Sequence, residues 1–187
     1  GNGSGVTYNS NLASGNFLVA SWLMWPNAAA NNPITSVTDS QTNTWTIQKQ
    51  VGISQEGADN IFVGIATTPT AKSGANEVSF SNANGFDASE FVIYEFSNVD
   101  STITIINSNS SGVGNAASIP STAFLSGAPV VAMIQNRVTG SGSATYVVAT
   151  NFSSGFGPVQ PRSDRAITAY DEYDASHNGG SITISTK

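Results

Sequence analysis

Short apolar stretches, separated by Ser, Thr, Asn and Gly, recur along the whole chain. Phe17–Met24 is apolar on both faces that an extended strand would present, which is typical of a central strand. No segment keeps apolar residues at the three-and-four spacing of an amphipathic helix between capping residues. The pattern therefore predicts an all-β protein, a two-sheet antiparallel sandwich with a jelly-roll-like arrangement.

The same pattern predicts the other strands, each bounded by Gly, Asn or Ser. They are Ile34–Thr38, Asn43–Gln48, Ile61–Ala66, Glu77–Phe80, Phe91–Phe96, Thr102–Ile106, Val130–Ile134, Ala144–Ala149, Ile167–Tyr170 and Ile182–Ile184. The turn-forming residues 39–42 separate the first two of these strands, which predicts a hairpin. We expect Asp39 to accept hydrogen bonds from the turn amides, and Trp45 to anchor the hairpin to the sheet below.

The chain has 187 residues, a length that favours one large sandwich over two domains. We therefore expect a sandwich domain over residues 15–187, preceded by an extended segment over residues 1–14. Asn107–Ser118 is the most linker-like stretch, and strand-like flanks on both sides favour a long loop between two halves of one sandwich.

The charge balance excludes several classes of partner. The chain carries 6 Lys and Arg against 12 Asp and Glu, a net charge of −6. Nucleic acid is not expected as a partner, since phosphate binding draws its affinity from clustered basic residues.

The longest apolar run is too short to span a bilayer, so membrane insertion is not expected. With no cysteine, the chain has neither a disulfide nor a thiolate metal site.

Candidates for chemistry are few, because charged residues make up only 10% of the chain and are thinly spread. This distribution predicts that the protein is not an enzyme and holds no cofactor. Asp171, Glu172 and Asp174 are the densest acidic group, and calcium binding is the alternative interpretation for them. Their spacing is not that of a calcium loop, so a solvated loop or an edge strand is favoured, with no metal.

Glu95 is the charged residue of an otherwise apolar predicted strand. Its side chain either points outward or pairs in a buried network, and we expect the outward orientation because Tyr94 and Phe96 share the opposite face of that strand.

Two surface roles remain for other residues. Asn2, Asn109 and Asn151 each begin an Asn-x-Ser pattern for N-glycosylation, although three matches are close to chance in so polar a chain. Trp25 follows the Phe17–Met24 strand and, together with Tyr173, could stack on sugar rings, whereas Trp22 and Trp45 are expected in the core.

Three segments carry a resemblance to a known kind of module. Gly15–Ala20, Ser36–Trp45 and Phe91–Asp100 resemble, in this order, segments of a secreted β-sandwich module of bacterial and archaeal cell-surface proteins. The resemblance implies a non-catalytic extracellular protein without a defined substrate. Thr42 and Asn98 stand where that module usually has glycine. Asn98 is expected to tolerate a left-handed conformation, and Thr42 is expected at a turn position with negative φ.

The N-terminal segment suggests how copies would associate. Val6 and Tyr8 alternate with Thr7 and Asn9, as in a strand that inserts into a sandwich. The module that the chain resembles usually has one more strand, so we expect a groove with unpaired backbone groups. We predict that residues 3–12 are extended and pair with a sheet of a neighbouring copy, making Val6, Thr7 and Tyr8 the subunit interface. The alternative is an N-terminal strand that folds back into its own sheet.

These observations favour a structural subunit of an extracellular filament or surface assembly, joined by β-strand addition between copies of itself. The alternative function is a carbohydrate-binding or adhesive module of a larger secreted protein, with cell-surface glycans as partners.

Overall fold

The protein is built of β-strands. A computed structural model describes residues 3–26, 32–54, 60–98, 116–119, 128–137, 146–147, 153–162, 167–177 and 182–186, and beyond residue 98 it describes the strands and their pairing. These residues form strands and no helix, so none of them belongs to a helix long and apolar enough to cross a membrane. The prediction of an all-β protein is confirmed.

The chain divides into two compact units, residues 1–102 and residues 103–187. The first unit contains seven strands: β1 (Gly3–Thr7), β2 (Phe17–Pro26), β3 (Ser36–Asp39), β4 (Thr46–Ser54), β5 (Asn60–Thr68), β6 (Glu77–Ser81) and β7 (Phe86–Phe96). They form a three-stranded sheet in the order β1-β6-β3 and a four-stranded sheet in the order β4-β5-β2-β7. Every strand pairing is antiparallel.

The pairings are nested in the manner of a jelly roll. The β4–β5 pair lies inside the β3–β6 pair in sequence, and both lie inside the β2–β7 pair. Successive pairs alternate between the two sheets, so the chain winds around a common interior. The predicted central position of Phe17–Met24 is confirmed, because β2 lies between β5 and β7.

The core lies between the two sheets. Trp22 on β2 meets Phe80 on β6 edge to face, with ring centroids 5.9 Å apart. Phe80 also stacks on Phe91 of β7 with centroids 4.2 Å apart. Because Trp22 and Phe80 are both fully buried, this aromatic group joins the sheets through the hydrophobic effect and ring geometry together. The two sheets therefore pack face to face as a sandwich.

Gly64 and Gln50 allow the Trp22 ring to lie flat across the four-stranded sheet. Gly64 faces Trp22 on the neighbouring strand, and a Cβ atom added there would overlap the indole ring. The indole Nε1 donates to Gln50 Oε1 at 3.1 Å. The Gln50 amide also pairs with the backbone of Ile34, accepting from its N and donating to its O. One side chain of the four-stranded sheet thereby holds the chain that enters β3.

The predicted hairpin over residues 34–48 is wrong. β3 pairs with β6 in the three-stranded sheet, whereas β4 pairs with β5 in the four-stranded sheet. The turn at residues 40–45 therefore carries the chain from one sheet to the other. Turn-forming residues favour reversal of the chain in both arrangements, and burial of apolar residues from both strands between the sheets selects the crossing.

The second unit contains six strands: β8 (Ala116–Ile119), β9 (Ala128–Arg137), β10 (Tyr146–Val147), β11 (Ser153–Arg162), β12 (Ile167–His177) and β13 (Ile182–Thr186). They form two antiparallel three-stranded sheets, in the orders β10-β13-β8 and β11-β12-β9. β8 begins within the stretch predicted as a loop, and β11 was not predicted, since its glycines and prolines are poor strand formers. The predicted strand Thr102–Ile106 lies outside the described residues.

Gly64→Ala should destabilise the protein by about 1–3 kcal/mol, because the added methyl group overlaps the buried Trp22 ring. Urea denaturation of the two proteins measures this difference. In a double-mutant cycle with Trp22→Leu, the Gly64→Ala change should become nearly neutral, since the smaller side chain leaves room. Strict additivity of the two changes would contradict this account of the contact.

Candidate assembly site

The N-terminal strand closes one edge of its own sandwich. β1 pairs with β6 in a regular antiparallel register from Gly3↔Ser81 to Thr7↔Glu77. The expectation that this segment pairs with a neighbouring copy therefore differs from the structure, which seats it in its own chain. The reason is that the side chains of Val6 and Tyr8 pack against the core cluster that the chain itself provides.

The alternation of core-facing and exposed side chains that the sequence predicts is present in β1 and in Tyr8, the residue after it. Val6 and Tyr8 are half-buried, and Thr7 between them is exposed. The extended conformation ends at Thr7, which is earlier than the predicted limit at residue 12. As residues of a subunit interface, Val6, Thr7 and Tyr8 remain a prediction.

Tyr8 connects the edges of both sheets. Its backbone N donates to the Asn76 carbonyl at 3.2 Å, which extends the β1–β6 ladder by one residue. Its phenol OH donates to the carbonyl oxygen of Tyr94 in β7 at 3.0 Å. Since β1 and β7 are edge strands of different sheets, this one residue ties the two sheets together at a corner of the sandwich.

The Asp39 carboxylate holds the turn between the sheets. Its Oδ1 accepts from the Asn43 backbone N at 2.9 Å, and its Oδ2 accepts from Asn43 Nδ2, Trp45 Nε1 and Asn76 Nδ2 at 2.8, 2.7 and 3.2 Å. The predicted role of Asp39 in the turn is confirmed. Trp45 is half-buried and packs against the core, as expected, although it anchors a crossing between sheets and not a hairpin.

Asn76 connects the turn held by Asp39 to Tyr8, the residue that follows β1. Its side chain donates to Asp39 Oδ2 and its Oδ1 accepts from Ser40 Oγ at 3.2 Å, while its backbone carbonyl accepts from Tyr8. Asn76 is 2% exposed, so the Asn76 end of each of these bonds is buried. The position of β1 therefore depends on the same residue that positions the turn.

Two residues that replace an expected glycine have left-handed backbone conformations. Thr42 has φ of 58° and Asn98 has φ of 57°. The expectation for Asn98 is confirmed, and the expected negative φ of Thr42 is wrong. Lys72 compensates for the strained Thr42, since its Nζ donates to the Thr42 carbonyl at 2.9 Å and to Thr42 Oγ1 at 2.7 Å.

Glu95 points toward the interior end of the sandwich, which corrects the outward orientation expected from the sequence. Phe91 and Ile93 pack on the core cluster, and Glu95 continues their row along β7. The half-buried carboxylate accepts from the Ala13 backbone N at 2.9 Å and from Asn16 Nδ2 at 2.8 Å. It therefore holds the segment that leads from β1 to β2.

The pKa values of two ionisable groups at this corner are shifted in opposite directions. Burial raises the pKa of the Tyr8 phenol far above its ordinary value of 10.0, and the nearby Glu95 and Asp39 carboxylates raise it further. Burial also opposes ionisation of Asp39, but the hydrogen bonds from Asn43, Trp45 and Asn76 together lower its pKa below 3.8. At neutral pH Tyr8 is thus a donor and Asp39 an acceptor.

The other predicted site residues lie elsewhere. Asp171, Glu172 and Asp174 fall in β12, the middle strand of its sheet, and not in the loop or edge strand that the sequence favoured. Tyr173 belongs to the same strand, and its backbone position pairs with Ser153 and Val131.

Trp25 lies near the end of β2 opposite Ala88. The predicted glycosylation residues Asn2, Asn109 and Asn151 lie outside the described residues. Within the described part of the chain, no three His, Cys, Asp or Glu side chains are grouped so that they could hold a metal ion.

Sequence reasoning missed Asn76 and Gln50 as organising residues. Both have amide side chains whose partners are distant in sequence. Asn76 bonds to Asp39, 37 positions away, while Gln50 bonds to Trp22, 28 positions away, and to the main chain of Ile34. The only local signal was Asp39 followed by Asn43 and Trp45, which are bonded across four and six positions.

Comparison with known proteins gives no assignment: no protein-family model, curated protein or solved structure matches this chain.

Asp39→Asn should destabilise the protein by about 2 kcal/mol, because it removes the charge that strengthens the hydrogen bonds and turns an amide group toward their donors. Chemical denaturation at pH 7 measures the loss. Glu77→Gln is the matched control, since Glu77 is an exposed carboxylate on β6 of the same unit. Equal shifts of both denaturation midpoints would contradict the role assigned to Asp39.

The stability contributed by Asp39 should depend on pH in the acid range. Because folding lowers its pKa below 3.8, the ionised form stabilises the folded state above that value. This stabilisation is lost as the pH falls through the folded-state pKa. The difference in unfolding free energy between the wild type and Asp39→Asn should therefore shrink below pH 3.8, as measured by urea titrations between pH 7 and pH 2. A constant difference over this range would show that the charge of Asp39 is not involved.

Proposed function

We propose that this protein is a non-catalytic structural subunit of an extracellular filament or surface assembly, whose copies are joined by β-strand addition. The joining segment is β1 with Tyr8, so that Val6, Thr7 and Tyr8 form the subunit interface. In this proposal the strand of one copy takes the place that β1 occupies in the isolated chain.

The observation that carries the proposal is the position of β1. It is an edge strand bonded to one neighbour, β6, yet its side chains Val6 and Tyr8 complete the core between the sheets. Strand addition uses this combination, because main-chain bonds supply affinity and alternate side chains fill pockets. An identical strand from a second copy offers the same groups, so replacement needs no new type of contact.

Composition and electrostatics support the extracellular structural role. The chain is rich in Ser, Thr, Asn and Gly, and charged residues are scarce along its whole length. At the one corner where the described side chains bring a phenol and two carboxylates together, Tyr8, Asp39 and Glu95 are all engaged in bonds that hold the fold. Groups held by such bonds suit a structural joint between subunits better than a site of proton transfer.

The purified protein should form polymers whose fraction rises with concentration. Light scattering after size exclusion, together with negative-stain electron microscopy, measures their size and form. Tyr8→Asp should suppress polymers by placing a charge in an apolar environment. Thr38→Asp is the matched control, because this side chain is exposed on β3 of the same sheet and lies outside the proposed interface, so its change should leave assembly nearly unaffected.

Circular dichroism decides whether Tyr8→Asp is folded, and Val6→Ala is the milder second variant, expected to weaken assembly while the sandwich stays folded. A wild-type protein that remains monomeric at all concentrations would contradict the proposed function and favour the carbohydrate-binding alternative. Equal assembly of the wild type and both core-facing variants would contradict the interface.

A further inference from the structure

We propose that the groove filled by β1 accepts β1 of a second copy in the same register, through an opening at the hinge Asn9–Asn11. This inference deepens the proposed function, on which its biological use rests, by naming the acceptor site, the hinge and the residues that select the strand.

The groove has two walls that contact an extended segment. The backbone of β6 forms one wall and aligns the strand from Ser81 to Glu77. The other wall is the edge of β7, where the carbonyl of Tyr94 accepts the phenol proton of Tyr8. Between these walls, Val6 and Tyr8 pack on the cluster that contains Val78 and Phe80. The groove therefore selects an apolar residue followed two positions later by tyrosine.

The hinge lies between two fixed points. Tyr8 is held by its bonds to Asn76 and Tyr94. Leu12 is 3% exposed, and its backbone exchanges two hydrogen bonds with Gly74, at 2.9 and 3.1 Å. Asn9, Ser10 and Asn11 between them are all exposed.

Only these three residues need to change conformation for β1 to leave its own groove. They span at most about 10 Å when extended. Asn9–Asn11 lie opposite the single residue Ala75, because Tyr8 pairs with Asn76 and Leu12 pairs with Gly74. Such a bulge holds extra chain that can extend when β1 leaves its groove.

The energetics of exchange follow from identity of the contacts. The bonds that β1 makes to β6 and β7 of another copy are the same as those made within one chain. They therefore contribute equally to the free energies of the exchanged and the unexchanged forms. The equilibrium between the two forms is then set by the conformation of the hinge and by the protein concentration. When each copy gives its strand to the next and receives one from the previous, the contact does not close and extends into a filament.

Cysteine pairing tests the exchange in the full-length chain, which has no native cysteine. Thr7 and Glu77 are directly opposite on β1 and β6, and both are exposed. The adjacent Tyr8–Asn76 pair is hydrogen-bonded, so Thr7 and Glu77 form the closer type of antiparallel pair, with Cα atoms about 4.5 Å apart. That separation lies within the range of a disulfide.

Equal amounts of Thr7→Cys and Glu77→Cys chains are mixed, incubated at high concentration and oxidised mildly. The disulfide joining residue 7 of one chain to residue 77 of the other should accumulate with incubation time, as identified by mass spectrometry after a non-reducing gel. The control mixture combines Thr7→Cys with Thr38→Cys, because Thr38 is exposed on the same sheet but is paired with Ser79. We expect at least tenfold less of the mixed disulfide in the control.

A double variant with Thr7→Cys and Glu77→Cys in one chain calibrates the geometry and should form its internal disulfide readily in dilute solution. The internal bond without an excess of the mixed disulfide over the control would overturn the exchange. Failure of the internal bond would overturn the register on which the inference stands.

The two proposals fail in different ways. The mixed disulfide in small closed oligomers, without polymers, would support exchange of β1 and overturn the filament. Polymers without the mixed disulfide would leave the structural function standing and overturn β1 as its joint.

Discussion

The bonds of the Asp39 carboxylate are the interaction on which the first unit depends. Asp39 ends β3 in one sheet, and its acceptor oxygens bind Asn43 in the turn and Trp45 at the entry to the other sheet. A third donor, Asn76, precedes β6 and carries the backbone bond to Tyr8. Because the ionised carboxylate strengthens all of these bonds at once, one charge sets the sheet crossing and the seat of β1.

This dependence explains how β1 is placed, and it bears on the proposed replacement of β1 by the strand of a second copy. Its anchors are few: a ladder to β6, two core-facing side chains, and the phenol of Tyr8 on the carbonyl of Tyr94. Among the groups that receive it, Asn76 bonds to Asp39 and Ser40, and Glu95 in β7 bonds to Asn16, all of them residues outside β1. An acceptor that is fixed by the rest of the fold is what strand addition between copies requires.

The sequence predicted the elements that depend on local periodicity. Phe17–Met24 could be placed in the middle of a sheet because it is apolar on both faces, and Trp22 in the core is buried as expected. The orientation of Glu95 was predicted wrongly, because Tyr94 and Phe96 suggested that their own face of β7 meets the interior, whereas Phe91 and Ile93 on the other face pack against the core. β11 was missed because its Gly and Pro residues are poor strand formers.

The candidate site was predictable only in its local part. Asp39, Asn43 and Trp45 are close in sequence, and the turn chemistry of Asp indicated their contact. Whether such a turn closes a hairpin or crosses between sheets depends on partners far along the chain, here β5 and β6. The roles of Asn76 and Tyr8 likewise depend on strands that are 37 and 86 positions distant. No local pattern carries that information.

The central claim is that β1 can leave its groove while the rest of the sandwich stays folded. Native-state hydrogen exchange of individual amides tests it most directly, since the Tyr8 amide bonds to Asn76 and the Ala20 amide lies in the central strand β2. The account predicts that the Tyr8 amide exchanges much faster than the Ala20 amide, through an opening that depends little on urea. Exchange of both amides at one rate, with the full urea dependence of global unfolding, would contradict it.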